Sequence, residues 1–560
     1  MIGKQNKISV LLNPDEYERF EEYCAHRGFK KSTLIARLVR DHLDHEGFRP
    51  HPRSSSEGSS PAGKGPTTGG AKDTTEFEFD VPGGTVLSRA ERIGLVDRIR
   101  RRGAEFSPPP MQDRFVDGII LGDTRGSALR CASAVASDFN RFWSARSSDG
   151  EAPFDVVDLF SGCGGMSAGF RAVNSLVSAY RIIASVDIDS TANSSFRENF
   201  GFSPLEEDVS ELSRNPGRLE DFLKTSGRRR NKPLIMIGCA PCQGFSSHRN
   251  SSGASDSRNS LFTDFATIAA RLKPEAVIAE NVPELLTDRY WPYVQEARRI
   301  LSEAGYHVHL AVHNMAEFGL PQERFRALMV AMRRPFRPLS GFLRRGEFRT
   351  VRQVLGDLPK VAAGERHPDD PMHFSAGHKE STIETIRAIP KDGGSRPDDV
   401  GPECLRLAKA RNGKAIYEDV YGRLSWDRPA ITITAYARNP ASGRFVHPEQ
   451  DRGLTVREAA LLQGFPKDYL FAGSLDEKFR QIGNAVPPVF SGYLAMWLLG
   501  ELLDALPTAD EFDRGVVRPV GPSFSRMIPS LKAGHGKGAF RASSVAGSGD
   551  GVDAVTEVRA

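Results

Sequence analysis

The residues best suited to covalent chemistry lie in Gly238-Cys239-Ala240-Pro241-Cys242-Gln243-Gly244-Phe245-Ser246, directly after the apolar run Leu234 to Gly238. A cysteine on a turn after a strand can serve as a thiolate nucleophile, a metal ligand or half of a redox pair. The Cys239-x-x-Cys242 spacing suits all three. Zinc needs a second ligand pair at suitable spacing. Cys163 and Cys404 are single and no His pair completes a set, so no metal site is expected. A thioredoxin-like pair would leave the other motifs unexplained.

Those motifs point to a nucleoside-like ligand. Asp158-Leu159-Phe160-Ser161-Gly162-Cys163-Gly164-Gly165-Met166 follows a strand-like run and opens a helix. Glycines let such a turn approach a ligand closely, and a helix N-terminus favours a carboxylate or phosphate. The next strand ends at Val186-Asp187-Ile188-Asp189, where a carboxylate can accept hydrogen bonds from both ribose hydroxyls. The ordinary alternative is a helix cap, since Asp189 precedes a helical stretch. Glu207-Asp208-Val209 forms a third acidic turn, suited to an adenine amino group. Gly, Asp and Asp at three successive strand ends fit an adenosyl cofactor.

These loops need a scaffold that brings strand ends together. Residues 154–160, 181–187, 234–238 and 276–279 read as strands, with helical stretches such as 284–304 between them. Alternating strands and helices predict an α/β fold with a mostly parallel sheet covered on both faces. Ligands on such sheets bind at the carboxyl ends of the strands. The expected catalytic and cofactor domain runs from 151 to 332. Residues 333–452 lose the rhythm, are rich in Pro, Gly and His, and read as a smaller irregular domain. Residues 453–505 return to the first domain, and the polar segment 506–560 reads as a disordered tail.

The N-terminal region divides differently. In residues 1–47, Ile8, Val10 and Leu12 alternate on one face of a short strand. Asn13 and Pro14 start a helix, Gly28 ends it, and Ser32 or Thr33 starts a second. Residues 48–75 are rich in Ser, Gly and Pro and read as a flexible linker. Residues 76–150 contain a candidate helix at 90–102 but suggest no role. In 560 residues with a net charge of +4, six cysteines do not make a disulfide framework, and a reducing, cytoplasmic setting fits. No apolar run is expected to span a bilayer, and Met1 to Lys7 contains no secretory h-region. The basic runs at 98–102 and 227–230 could meet phosphates, though such runs are more often solvated surface.

Taken in order, the motifs resemble the DNA (cytosine-5)-methyltransferase family. The Phe160-x-Gly162-x-Gly164-Gly165 loop is followed by Pro241-Cys242-Gln243, Glu280-Asn281-Val282 and Gln322-Glu323-Arg324-Phe325-Arg326. After these come Arg457-Glu458-Ala459-Ala460-Leu461-Leu462-Gln463-Gly464-Phe465-Pro466 and Gln481-Ile482-Gly483-Asn484-Ala485-Val486-Pro487-Pro488. The resemblance covers residues 154 to about 503. It implies a Rossmann-like domain dependent on S-adenosyl-L-methionine, a target recognition domain at 333–452, and methylation of cytosine C5 in a specific duplex DNA sequence, as in restriction-modification systems. Cys242 corresponds to the nucleophile that adds to cytosine C6, which makes C5 nucleophilic enough to attack a sulfonium methyl. Glu280 corresponds to the acid that donates at cytosine N3. Asn281 would hold the loop or the base, and Arg324 and Arg326 correspond to arginines beside the base and its phosphate. Phe160, Gly162, Gly164, Gly165, Met166, Asp187, Ile188, Asp208, Val209, Asn484 and Ala485 correspond to the cofactor set.

The target atom is hidden in the duplex, so the cytosine must flip out, with the polar stretch 246–262 resembling the family's closing loop. His367, His373, His378, Lys379, Arg387, Lys391 and Arg396 are candidate recognition residues as a group. Two positions depart from the usual pattern: Asp187 stands where Glu is common, and Ala240 where Pro is. The N-terminal unit resembles a ribbon-helix-helix module, which implies a homodimer through residues 1–47 that binds DNA. The alternatives are a tRNA cytosine-5-methyltransferase on the same scaffold and a non-enzymatic transcriptional regulator carrying an inactive methyltransferase domain. The long recognition segment disfavours the first, and the intact Cys242 and Glu280 the second.

Overall fold

The computed structural model describes residues 87–106, 124–145, 152–241, 260–406, 419–504 and 528. The ribbon-helix-helix unit, the linker, Cys242 with most of the 246–262 stretch, and the tail apart from residue 528 lie outside the described residues.

Among the described residues six strands form one sheet: β1 (Phe154–Leu159), β2 (Tyr180–Val186), β3 (Leu234–Gly238), β4 (Ala276–Asn281), β5 (His307–Asn314) and β6 (Phe325–Met332), in the order β2-β1-β3-β4-β6-β5. The first four are parallel, whereas β6 runs antiparallel to both β4 and β5. The expected parallel sheet is therefore present, extended by an antiparallel pair that the sequence reading did not assign. The chain leaves β1 toward β2 on one side and returns to β3 on the other. This reversal opens a crevice at the carboxyl ends of β1 and β3. Two of the motif loops leave the sheet there.

Both faces of the sheet are buried, which explains why its strands read as continuous apolar runs. Val156, Ile235, Ile237 and Ile278 face one layer, while Val157, Leu159, Met236, Val277 and Ala279 face the other. The second layer is the helices Leu261–Leu272 and Trp291–Glu303. The first is built around helix Pro488–Leu503, every residue of which is buried. The segment Leu475–Leu503 is long and apolar enough to cross a membrane by length and composition, contrary to the sequence reading. Its most apolar stretch is wholly buried in the protein, so it is a core element here.

Residues 89–104 and 124–144, from a region for which the sequence suggested no role, complete that layer. Helices Arg89–Ala104 and Thr124–Ser137 pack together, and the second lies along Pro488–Leu503. Buried Arg125 donates to Glu501 at 2.9 Å across this contact. Glu501 also accepts from the Arg337 backbone amide, so the buried charge is multiply satisfied.

The basic run near 228 meets a carboxylate. Asp155, fully buried at the start of β1, is contacted by Arg181, Arg228 and Arg229 at 3.1, 3.1 and 2.6 Å. Two arginines of the run thus neutralise the base of the sheet, at the end opposite the crevice. The irregular region after β6 contains short helices at Val351–Leu355 and Glu380–Arg387 and no assigned strand among its described residues.

Candidate active site

At the crevice the backbone is shaped for close approach. Gly164 caps helix Gly165–Val173 at φ +91°, a conformation that side chains rarely adopt. Gly238, the last residue of β3, lies so near β1 that a Cβ would come within 2.6 Å of the Leu159 carbonyl oxygen. Phe160 itself has φ +60°, a strained conformation for a residue with a side chain and one that costs about 1 kcal/mol or more.

These loops surround a cavity of about 630 Å³, within the usual range for small-molecule sites. Of the expected cofactor set, Phe160, Gly162, Gly165, Met166, Asp187, Ile188, Asp208, Val209, Asn484 and Ala485 line it. Gly164 does not, because its role is to turn the chain. Asn484 and Ala485 arrive from the end of helix Leu475–Asn484, far along the chain.

The acidic residues differ in environment. One oxygen of Asp187 accepts from the Gly162 amide at 2.7 Å and the other from the Asp189 amide at 2.9 Å. Asp187 thus ties the first two loops together, and each oxygen has a second lone pair for a ribose hydroxyl. Burial raises its pKa, against the lowering effect of those amides. Asp189 caps helix Ser190–Phe200 through the Thr191 and Ala192 amides, as the ordinary alternative has it. It also pairs with Arg480 at 2.9 Å. Asp208 caps the next helix through Ser210 while remaining exposed at the cavity wall.

Sequence reasoning missed Asp158, Arg480, Gln481 and Cys239, which also line the cavity. Asp158 was hidden within an apolar strand run, and a charge in such a run was the available signal. It is buried and accepts a 2.6 Å hydrogen bond from the Ser167 hydroxyl. Burial pushes its pKa up to about 7, with the Asp187 charge adding to the effect.

At the chemical end, Glu280 and Asn281 close β4 and are both 2% exposed. The Asn281 amide donates to the Ala240 carbonyl at 3.1 Å, binding the end of β4 to the turn that leads to Cys242. Its sequence neighbours Ile278, Ala279 and Val282 suggest an apolar pocket for Glu280. Instead, Arg326 Nε lies 3.0 Å from Oε1, and Cys239 Sγ donates to Oε2 at 2.9 Å. The Arg326 contact is off-axis for a hydrogen bond, and Oε1 accepts none.

Arg324 is drawn into the protein. It is 1% exposed, and its guanidinium donates to the carbonyls of Ile433, Gly483 and Ala485. These partners give it a structural task beside the one the resemblance implies. Gln322 works beside it: its side chain donates to the Leu462 carbonyl and Gln463 and accepts from the Ile433 amide. Together the two residues fasten the chain's return segments to the sheet.

The recognition candidates in the irregular region are largely engaged within it. His373 is buried with ring nitrogens 3.0 Å from Thr455 and 2.8 Å from the Pro359 carbonyl. His378 accepts from the Gly453 amide, Arg387 pairs with Glu380, Lys391 with Asp451, and Arg396 donates to the Val400 carbonyl. His367 accepts from the Asp369 amide, and Lys379 stays exposed at the start of a helix. Buried Arg423 binds Ile386, Ile389, His447, Gln450 and Asp451, so it acts as the hub of that region.

The family model for C-5 cytosine-specific DNA methylases matches residues 154–496, more than half of the chain. The chain belongs to that family. This methylase is 33% identical over 349 residues to the type II methylase M.HgiDII of Herpetosiphon aurantiacus, across 61% of its own length and 93% of that protein's. It is 32% identical over 342 residues to the type II methyltransferase M1.HphI of Haemophilus parahaemolyticus, across 60% and 85% respectively. Like the family, the methylase transfers a methyl group from S-adenosylmethionine to cytosine C5 in DNA. Its cavity suits that cofactor: Asp158, Asp187, Glu207 and Asp208 make a wall favourable to a ligand with a sulfonium and an ammonium.

Proposed function

We propose that the methylase acts on a cytosine flipped out of a specific duplex DNA site, as one half of a type II restriction-modification pair, with the site residues in the following roles. Bound S-adenosylmethionine supplies an electrophilic methyl group. Asp187 receives the ribose hydroxyls and Asp208 the adenine amino group, while Ile188 covers the adenine face. Asp158 lies beneath the glycine loop as a counter-charge.

Cys242 adds as thiolate to C6 of the cytosine while Glu280 donates a proton or strong hydrogen bond at N3. C5 would then take the methyl group as its bond to the sulfonium sulfur breaks, the electron pair staying on sulfur in S-adenosylhomocysteine. Loss of the C5 proton to solvent and departure of the thiolate, with the N3 proton returned to Glu280, restore the aromatic base and the free cysteine. Arg326, on Glu280, remains close enough to hold both the acid and the base. Asn281 sets the position of the turn before Cys242, and Arg324 keeps the Asn484–Ala485 wall in place.

The observation that carries this assignment is the Asn281–Ala240 hydrogen bond, which joins the end of β4 bearing Glu280 to the turn that enters Cys242. The test is methyl transfer from tritiated S-adenosylmethionine to duplex DNA and, separately, to RNA, with bisulfite sequencing of DNA from a methylation-free host that expresses the chain. Labelled DNA and one recurrent methylated sequence are expected. Label in RNA alone would refute the substrate assignment.

A further inference from the structure

We propose that Cys239 is a positioning residue for the Glu280 acid: its thiol fixes the plane of the carboxyl group from which the proton or hydrogen bond at cytosine N3 is given. The inference rests on the role assigned to Glu280 above. Sheet register creates the contact. Gly238 on β3 is paired in parallel with Ala279 on β4, so Cys239, just past the end of β3, stands beside Glu280 of β4. Cys239 Sγ donates to Oε2 at 2.9 Å, and Cys239 also lines the cofactor cavity.

The carboxyl needs this second hold. Rotation about the last bond of a glutamate side chain is soft and broad. Arg326 Nε meets Oε1 at 3.0 Å but off-axis for a hydrogen bond, which restrains distance more than rotation about that bond. A donor on the opposite oxygen removes that freedom and leaves Oε1 directed away from the thiol. Proton donation demands a heavy-atom separation of about 2.6–3.2 Å, and displacement on the order of 1 Å can cost about a hundredfold in rate. A thiol also suits a buried position beside a carboxylate, since it donates without adding a second charge.

The experiment compares the full-length chain with Cys239→Ala, Cys239→Val and Cys239→Ser, alone and combined with Glu280→Gln. Measured quantities are kcat, KM for S-adenosylmethionine, and the rate of covalent capture by duplex DNA carrying 5-fluorocytosine. Ala and Val remove the donor, one with less volume and one with more, while Ser keeps it. Ala and Val should each lower kcat and slow capture by about tenfold, as loss of a hydrogen bond to a charged group does, a larger effect than any change in KM for the cofactor, whose cavity Cys239 also lines. Ser should recover to within about threefold of the parent. In the Glu280→Gln background the Ala change should add little, because its effect passes through the carboxyl. Parent-like kcat in both Cys239→Ala and Cys239→Val, or a fully additive loss in the double variant, would overturn the proposal while a slow Glu280→Gln left the acid assignment standing. Parent-like turnover in Glu280→Gln would remove the acid assignment and the positioning role with it. Should Ala fail to fold, Val against Ser carries the same comparison.

Discussion

Replacing Arg324 with methionine tests most directly what the buried arginine does. The substitution keeps an unbranched stem and deletes a guanidinium that serves the carbonyls of Ile433, Gly483 and Ala485. The Ala485 carbonyl keeps the Gln463 side-chain amide as a donor at 2.7 Å, so the carbonyls of Ile433 and Gly483 are the two left without one. A buried polar group left unsatisfied costs about 1–3 kcal/mol, so two give roughly 3 kcal/mol before any relaxation. Removing the charge itself offsets part of this, since an ionised group no longer has to be buried. Melting entropy for a folded unit of this size is on the order of 0.8 kcal/mol/K, which makes the expected fall in Tm roughly 4 °C. Because Ala485 lines the cofactor cavity, affinity for S-adenosylmethionine should fall as well. Thermal melts followed by circular dichroism and titration calorimetry give both numbers. A parent-like Tm and cofactor affinity, with loss only in KM for DNA, would refute the positioning role and return Arg324 to the base or its phosphate.

Five further outcomes are expected. Asp158 has a pKa raised by burial to about 7, so cofactor affinity should fall as pH drops through about 7 and its counter-charge is lost, a dependence that Asp158→Asn should abolish in calorimetry. The same group makes stability decline as pH rises from its unfolded value near 4 to about 7, since the folded state holds a proton that the unfolded chain has released; above that range its contribution is flat. Cys242→Ala should abolish methyl transfer and capture by 5-fluorocytosine DNA while leaving DNA binding, and residual turnover within about tenfold of the parent would exclude a covalent route. Glu280→Gln should lower kcat by about a hundredfold in the same transfer assay. Deleting residues 1–47 should leave methylation of a short duplex nearly unchanged but lower the sedimentation coefficient from that of a dimer, if that segment pairs two chains.

Much of the catalytic end was legible because its signals are local. A strand, a turn of particular residues and a helix follow one another at β1, β2 and β3, and the residues that line the cavity are set by which loop they stand on. Chain order alone sufficed to group Phe160, Asp187, Asp208, Glu280 and Asn281. The parallel strands were readable for the same reason: burial on both faces makes each a continuous apolar run.

What only the tertiary structure decided depends on partners distant in sequence. Arg324 and Arg326 stand two residues apart in one motif, yet Arg324 is turned onto the carbonyls of returning segments and Arg326 onto Glu280. No local pattern distinguishes them, because the carbonyls lie more than a hundred residues away. Arg228 and Arg229 look like a surface basic run until β1 brings Asp155 beneath them. Helices Arg89–Ala104 and Thr124–Ser137 acquire a role only once helix Pro488–Leu503 exists to be covered. Cys239 reads as half of a Cys-x-x-Cys pair, and only the register of β3 on β4 sets its thiol against Glu280. The sequence by itself determined which loops stand together at the carboxyl ends of the strands. The fold determined which of their polar side chains are left to meet a ligand, because a buried donor or charge is taken by whichever acceptor the packing brings to it.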